Sequence, residues 1–181
     1  EGMSGPWKTG GRAGVSSRLK SALMQTKSDK NNQAAGGSWG HGKKAIANAS
    51  TCRTIAVYSA FEGSAEGDPV RSRFLGVSYW RSHDLGERSH VGLGLLGAEA
   101  AETGAFVDQF RPLEDSEAHD FINQLDIDSV APRDPDVPAQ LGTTYVIVEP
   151  SFEPADLGLA LERNWWPLLE RDVARISVCG Y

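Results

Sequence analysis

The chain of 181 residues contains only two cysteines, Cys52 and Cys179, and their separation gives no metal-ligand spacing. We therefore interpret both as small apolar side chains in a reducing compartment rather than as a disulfide. The sequence also lacks a visible signal peptide and any apolar run that approaches the ~18 residues of a membrane-spanning helix. These absences predict a cytoplasmic protein without membrane contact.

An excess of basic residues is also missing. The chain has 18 Lys and Arg against 24 Asp and Glu, so its formal net charge at pH 7 is −6. Because contacts with a phosphate backbone need a basic surface, this charge does not support nucleic acid as a partner. The overall composition, 40% hydrophobic and 23% charged, is that of a globular domain with its own core.

Catalytic motifs are scarce. The histidines His83, His90 and His119 show no metal-binding spacing. Neither Ser59 nor Ser78 stands in the Gly-x-Ser-x-Gly context of a hydrolase nucleophile. The sequence therefore predicts no catalytic residue and no metal ligand within this chain.

A glycine-dense segment is the most informative feature that is present. It runs into a helix-forming stretch and then a strand at 54–59. Glycines let the backbone take positive φ and approach an anion, and the free amides that open the next helix point at that anion. The pattern predicts a loop that binds a di- or triphosphate. Its residues are Gly37, Ser38, Trp39, Gly40, His41, Gly42 and Lys43.

Two familiar phosphate loops fit this segment poorly. A Walker A loop would need Ser or Thr where Lys44 stands, and a buried strand before the loop, where a polar run is found instead. A Rossmann fingerprint would also need a preceding strand, and Ala45 occupies the position of its third glycine. We set both aside.

The segment, followed by its short helix and strand, resembles the lid and second glycine motif of the Bergerat-fold ATPases. This GHKL superfamily includes DNA gyrase, heat-shock chaperones, histidine kinases and mismatch-repair MutL proteins. Two further segments resemble family motifs in the same order. Gly2 and Met3 resemble the end of the Asp-x-Gly-x-Gly-Met motif beside the adenine, and Gly142-Thr143 resembles the late strand whose threonine reaches the adenine side.

The resemblance covers residues 1–150 and implies an α+β fold, a Bergerat-type two-layer sandwich with a mixed, mostly antiparallel sheet and helices on one face. It implies a partial ATP-binding domain at 1–150, with a lid at about 10–40, followed at 151–181 by a helix and strand that end the domain or lead into a missing one. Its site would comprise Gly2, Met3, Thr143 and the glycine-dense segment.

In the family, a helix upstream of the first glycine motif supplies an acidic base and an asparagine that ligates magnesium. Since this chain begins inside that motif, we expect a fragment that holds ATP without the groups that hydrolyse it. The resemblance implies a full-length ATPase that uses ATP and Mg²⁺, with further domains or a homodimer partner responding to lid closure. The alternative is a non-catalytic interaction module with a structural glycine loop.

Periodicity predicts the remaining elements. We expect an amphipathic helix at 15–25, strands at 73–80, 90–96 and 104–110, a helix at 118–125 capped by Asp115 or Ser116, and a central strand at 143–148. A helix from Pro154 should kink or restart at Pro167, before a strand at 173–179. We interpret Trp165 and Trp166 as side chains that pack in the core or at an interdomain contact.

Overall fold

A computed structural model describes residues 3, 7, 18–24, 41–63, 69–100, 109–127, 130–170, 176 and 177, with the backbone alone at 41–43 and 166–169. The helices are α1 (Arg18–Leu23), α2 (His41–Asn48), α3 (Ser116–Leu125) and α4 (Pro154–Glu170). The strands are β1 (Thr54–Ala60), β2 (Ser72–Tyr79), β3 (His83–Leu85), β4 (Arg88–His90), β5 (Leu93–Leu96), β6 (Ala98–Glu99), β7 (Phe110–Arg111), β8 (Leu113–Glu114) and β9 (Gly142–Ile147).

The main sheet has five strands in the order β5-β2-β1-β9, and β8 pairs with β2 beside β5. Its described pairings are all antiparallel. In the centre, Ile55 lies opposite Val77 of β2 on one side and Ile147 of β9 on the other. Two small sheets, β3-β4 and β6-β7, complete the strand pairings.

One face of the sheet is defined by the side chains of Ile55 and Val57 on β1, and we call it the first face. Leu19 and Leu23 of α1 are fully buried against it, and Ile46 of α2 packs there as well. Burial of these apolar side chains is the main force that holds two short helices on the sheet. The segment predicted as a lid therefore contributes core residues through α1.

The second face carries Ala56 and Tyr58 of β1, and α3 covers it with Ala118 and Ile122. Helices thus pack on both faces, whereas the sequence analysis predicted helices on one face. The physical reason is that β1 is buried along nearly its whole length, so both sides of the strand need cover from water. The predicted α+β class is confirmed, with a sheet that is antiparallel in its described part.

The longer predicted elements agree with the structure to within a few residues, as α1, β1, β2, α3 and β9 show. The centre position predicted for the late strand is wrong for the described sheet, where β9 stands at the end of the strand order and is only half-buried. Of the strand predicted at 104–110, only Phe110 lies in a described strand, and 101–108 are outside the described residues.

Asp115 occupies the N-cap position of α3 but makes no side-chain capping bond. Its carboxylate Oδ1 instead accepts hydrogen bonds from the backbone N–H groups of Arg71 and Ser72, both at 2.9 Å. The residue has a left-handed φ of 46°, which aspartate tolerates better than most side chains. Asp115 therefore fixes the start of β2 rather than the helix.

Helix α4 runs without interruption through Pro167, so the predicted restart is wrong, and the predicted kink stays a prediction. Trp165 is 47% exposed, so it is not a core side chain, and its interdomain contact stays a prediction; the side chain of Trp166 is outside the described residues. Residues 176 and 177 are not in a strand, and the rest of the strand predicted at 173–179 is outside the description. No described helix is long and apolar enough to cross a membrane.

Candidate functional site

The structure describes half of the predicted ATP-site residues. Met3 and Thr143 are described in full, and the backbone of His41, Gly42 and Lys43 forms the first turn of α2. The helix predicted to begin near Gly42 thus begins at His41. The other predicted residues, Gly2, Gly37, Ser38, Trp39 and Gly40, lie outside the described residues.

Met3 and Thr143 meet at one buried hydroxyl. The backbone N–H of Met3 donates to Ser59 Oγ at 2.6 Å, and Ser59 Oγ lies 2.9 Å from Thr143 Oγ1. Ser59 has no exposed surface and pairs with Thr143 in the register of β1 and β9. Three segments that are distant in sequence are therefore joined at the carboxyl end of β1.

Sequence analysis missed Ser59 as a site residue. The available signal was Ser59 itself. It lies in the run from Ile55 to Ala60, where Tyr58 is the only other residue with a polar group in its side chain. A buried hydroxyl needs hydrogen-bond partners, so such a position predicts polar groups opposite it. Without knowledge of the pairing between β1 and β9, the sequence could not identify Thr143 as the partner.

Arg73 extends this cluster across the sheet. It lies directly opposite Ser59 on β2, is 1% exposed, and donates from Nε to Glu114 Oε1 at 2.9 Å. Its guanidinium also lies over the ring of Phe61, with Cζ 5.4 Å from the centroid. We call Glu114, Arg73, Ser59 and Thr143 the polar row, because they cross four neighbouring strands on the first face.

Substitutions in the polar row should lower the stability of the fold. Removing one partner of a buried ion pair typically costs about 3–5 kcal/mol, because the remaining charge loses its compensation. Arg73 and Glu114 therefore hold β8 against β2 at the same end of the sheet where Met3 and Thr143 meet.

The end of α2 is attached to the other end of β1. Ser50 Oγ donates to the carbonyl of Val148 at 2.5 Å and accepts from the N–H of Thr54 at 3.0 Å. Ile46 packs on the first face, and Met3 contacts the same apolar cluster. Helix α2, Met3 and Thr143 therefore share one face of the sheet.

Helix α1 is fixed to this face by a phenol. The hydroxyl of Tyr79 donates to the carbonyl of Leu23 at 2.5 Å, so the last residue of α1 is bound to the end of β2. Burial raises the pKa of Tyr79 to about 12 because the phenolate loses hydration there. The hydroxyl stays protonated, and the hydrogen bond persists, throughout the neutral range.

The histidines give no metal centre. The rings of His83 and His90 stack with centroids 5.3 Å apart, and His119 lies within hydrogen-bond distance of Ser72. In the described part of the chain, no group of three or more His, Cys, Asp or Glu side chains could hold a metal ion. The resemblance places the magnesium ligand outside this chain, and we assign no described residue to that ion.

Comparison with known proteins adds no relative. No protein-family model, curated protein or solved structure matches this chain. The geometry of the first face therefore carries the functional interpretation.

Proposed function

We propose that this chain is the ATP-binding module of a Bergerat-type ATPase. In this proposal, the nucleotide phosphates bind at the N-terminus of α2, and the adenine side lies at Met3 and Thr143. The observation that carries the proposal is the convergence of these two residues on Ser59, on the face against which α2 packs. Motifs that the family resemblance associates with one ligand therefore lie at one end of one sheet face.

The proposal requires a particular direction of α2. Because only residues 49–53 separate the end of α2 from the start of β1, the proposal has the helix run back along the strand. At 1.5 Å per residue the helix is about 12 Å long, and β1 rises about 17 Å between Thr54 and Ser59 at 3.3–3.4 Å per residue. In this arrangement the N-terminus of α2 would face the Ser59 end of the sheet.

The chemistry at that N-terminus suits a polyphosphate. The first backbone N–H groups of an α-helix have no partner within the helix, and the helix dipole places partial positive charge there. Lys43 and Lys44 add two cationic side chains to the first turn, and Lys44 is exposed. The proposal therefore gives α2 the phosphate-binding role and the β1–β9 pair the base-side role.

In this proposal, the sheet and the helices on its first face correspond to the two-layer Bergerat sandwich. Helices α1 and α2 and the nucleotide would form one layer on that face, and α3 adds a further layer on the second face. The glycine-dense segment would close over the phosphates as a lid, with α1 as its anchored part. Hydrolysis in the full-length protein is implied by the resemblance, and no described residue is assigned as its base.

A second candidate function is a non-catalytic interaction module. It is favoured by α4, where Leu157, Leu159 and Trp165 are between 42% and 52% exposed. A helix that leaves this much apolar surface in water is typical of a protein–protein contact. In this alternative the glycine-dense segment is a structural turn, and ATP has no effect on the protein.

Hydrogen exchange of the purified chain distinguishes the two candidates. ATP should slow amide exchange at residues 37–46 and 142–146, because it contacts both the α2 N-terminus and the Thr143 strand. Inorganic tripolyphosphate should slow exchange only at residues 37–46. If ATP at saturating concentration slows neither region, the ATP-site proposal fails and the interaction module remains.

A further inference from the structure

A cavity of about 760 Å³ lies at the end of the sheet opposite the polar row. Residues just before β1 and just after β2 line it, so it is separated from Ser59 by the length of β1. Its volume falls in the range of about 300–1,000 Å³ that accommodates small organic ligands. We call it the Trp80 cavity, and its lining residues are Thr51, Arg53, Trp80, Arg81 and His83.

Among the described residues, neither the Arg53 nor the Arg81 guanidinium forms an ion pair or hydrogen bond, and both residues are exposed. In contrast, Arg71, Arg73 and Arg111 each contact a carboxylate. In a chain with net charge −6, two neighbouring arginines without acidic partners mark a local preference for an anion.

Trp80 offers a flat apolar surface beside these charges. Its ring is 57% exposed, yet its orientation is fixed because Nε1 donates to Ser78 Oγ at 2.6 Å. Ser78 Oγ in turn lies 2.8 Å from Thr54 Oγ1. The polar edge of the indole is therefore satisfied inside the protein, and its face remains available for stacking.

The backbone of Arg53 is held in an unusual conformation. Its φ of 51° lies in the left-handed region, which is uncommon for a residue other than glycine. The N–H of Arg53 donates to the Ser50 carbonyl at 3.1 Å, and its own carbonyl accepts from Tyr79 at 3.1 Å. These bonds fix the strained turn, and such strain is often retained where a side chain has a function.

We propose that the Trp80 cavity binds a nucleoside phosphate. The base stacks on Trp80, and Arg53 and Arg81 bind the phosphate, because guanidinium groups match phosphate oxygens in charge and geometry. The Thr51 hydroxyl donates a hydrogen bond to the Glu149 carboxylate at 2.9 Å. His83 donates from Nδ1 to the Arg81 carbonyl at 3.0 Å, which orients its ring toward the same turn.

A free nucleotide and the end of a nucleic-acid strand share this chemistry. Thymidine probes separate the Trp80 cavity from the proposed ATP site, where the ring is adenine. We would measure fluorescence anisotropy of the full chain with a labelled oligothymidylate of about twelve nucleotides, and competition by unlabelled thymidine monophosphate. Tighter binding of the oligomer by tenfold or more (about 1.4 kcal/mol) identifies a strand, and comparable affinities identify a free nucleotide.

Three variants test the assignment of residues. Trp80→Leu should weaken binding by about 5- to 100-fold through lost stacking. Arg53→Gly should weaken binding without loss of fold, since glycine accepts the left-handed φ, and should reduce the salt slope of log K by about 0.7–0.9. Arg163→Gln, which makes the same charge change on α4, should leave the affinity unchanged.

Several results overturn the proposal. One is failure of both probes to bind at about 1 mM, the weak end of specific recognition. Another is affinity that Trp80→Leu and Arg53→Gly leave unchanged. A third is an equal loss with Arg163→Gln, which would show that net charge alone governs binding. Loss of ATP binding in Thr143→Val does not affect the proposal, so the two sites fail or succeed separately.

Discussion

The Thr143 hydroxyl lies 2.9 Å from Ser59 Oγ, half-buried on the first face. If it serves the adenine side, Thr143→Val should weaken ATP binding by about 1–2 kcal/mol, because a buried hydrogen bond is lost while the side-chain volume is kept. Isothermal titration calorimetry measures this directly. Thr143→Ser, which keeps the hydroxyl, should bind nearly as tightly as the parent chain.

Thr144 provides the matched control on the opposite face. It is the next residue of β9, and its hydroxyl contacts Arg133 rather than Ser59. Thr144→Val should leave ATP affinity unchanged. Equal losses in the two valine variants would remove Thr143 from the site.

A second residue-scale prediction concerns Tyr79. Its pKa is raised from 10 to about 12 in the folded protein, so its contribution to stability is complete below about pH 10 and is lost as the pH rises toward 12. Tyr79→Phe should cost about 1 kcal/mol at neutral pH through the lost bond to Leu23, and should make the decline above pH 10 shallower. Urea unfolding from pH 8 to 12 tests this, and parallel declines in both proteins would contradict it.

Single residues show which parts of the candidate site could be predicted from the sequence. Met3 and Thr143 were predicted as site residues from motif resemblance, but Ser59, which joins them, was not. The role of Asp115 was also mistaken, because a carboxylate just before a helix predicts a cap unless another backbone offers N–H groups nearby. Arg71 and Ser72 offer them here, and only the folded chain brings β2 to that position.

At the element scale, the first turn of α2 is the decisive test of phosphate binding. Gly42 is the second residue of α2 and therefore does not need the positive φ that the sequence suggested. Its role in the proposal is to let the phosphates approach the backbone closely. In the Trp80→Leu background, Gly42→Val should abolish ATP binding while the helix remains folded, because valine is tolerated in helices at least as well as glycine. Binding of a fluorescent ATP analogue and circular dichroism measure the two effects.

The Gly42→Ala variant distinguishes the effect of side-chain size from the effect of helix propensity. A single methyl group should reduce binding less than valine does, while raising helix propensity by about 1 kcal/mol. Retention of full ATP affinity by the valine variant would place the phosphates elsewhere. Loss of affinity together with loss of helical signal would instead indicate unfolding of α2.

The elements that the sequence predicted well are those whose own side chains determine burial. The apolar runs of β1 and β2 and the helical spacing of α3 carry enough information to identify them. The strands β3, β4, β6, β7 and β8 have only two or three residues each, too few to show a period of alternation. In addition, β8 forms only by pairing with the distant β2. The Trp80 cavity is of the same kind, because Arg53 and Arg81 become neighbours only when β1 and β2 align.

For the whole molecule, ATP should act as a stabilising ligand. At about 100 times its dissociation constant, a ligand that binds only the folded state contributes about 2.7 kcal/mol. For a protein of this size that corresponds to a rise in Tm of about 5–10 °C. Differential scanning fluorimetry with ATP, and with adenosine as the control lacking phosphates, measures the shift.

The same scan on variants assigns the shift to a site. In a Trp80→Leu background, which removes base stacking in the Trp80 cavity, Gly42→Val should show no rise in Tm with ATP, whereas Arg163→Gln should respond as the Trp80→Leu chain does. A rise of equal size in all three proteins would mean that ATP binds elsewhere on the molecule.

The strand order of the main sheet has a consequence for biosynthesis. Ala60 pairs with Ser72 on one side, which is close in sequence, but with Gly142 on the other. During translation the β1–β2 hairpin is complete long before residues 142–147 leave the ribosome, at roughly 5–20 residues per second. Throughout that interval, β1 presents an open apolar edge to other chains, and such edges template aggregation. Nascent chains that stall before β9 is made are therefore the ones that most need a chaperone.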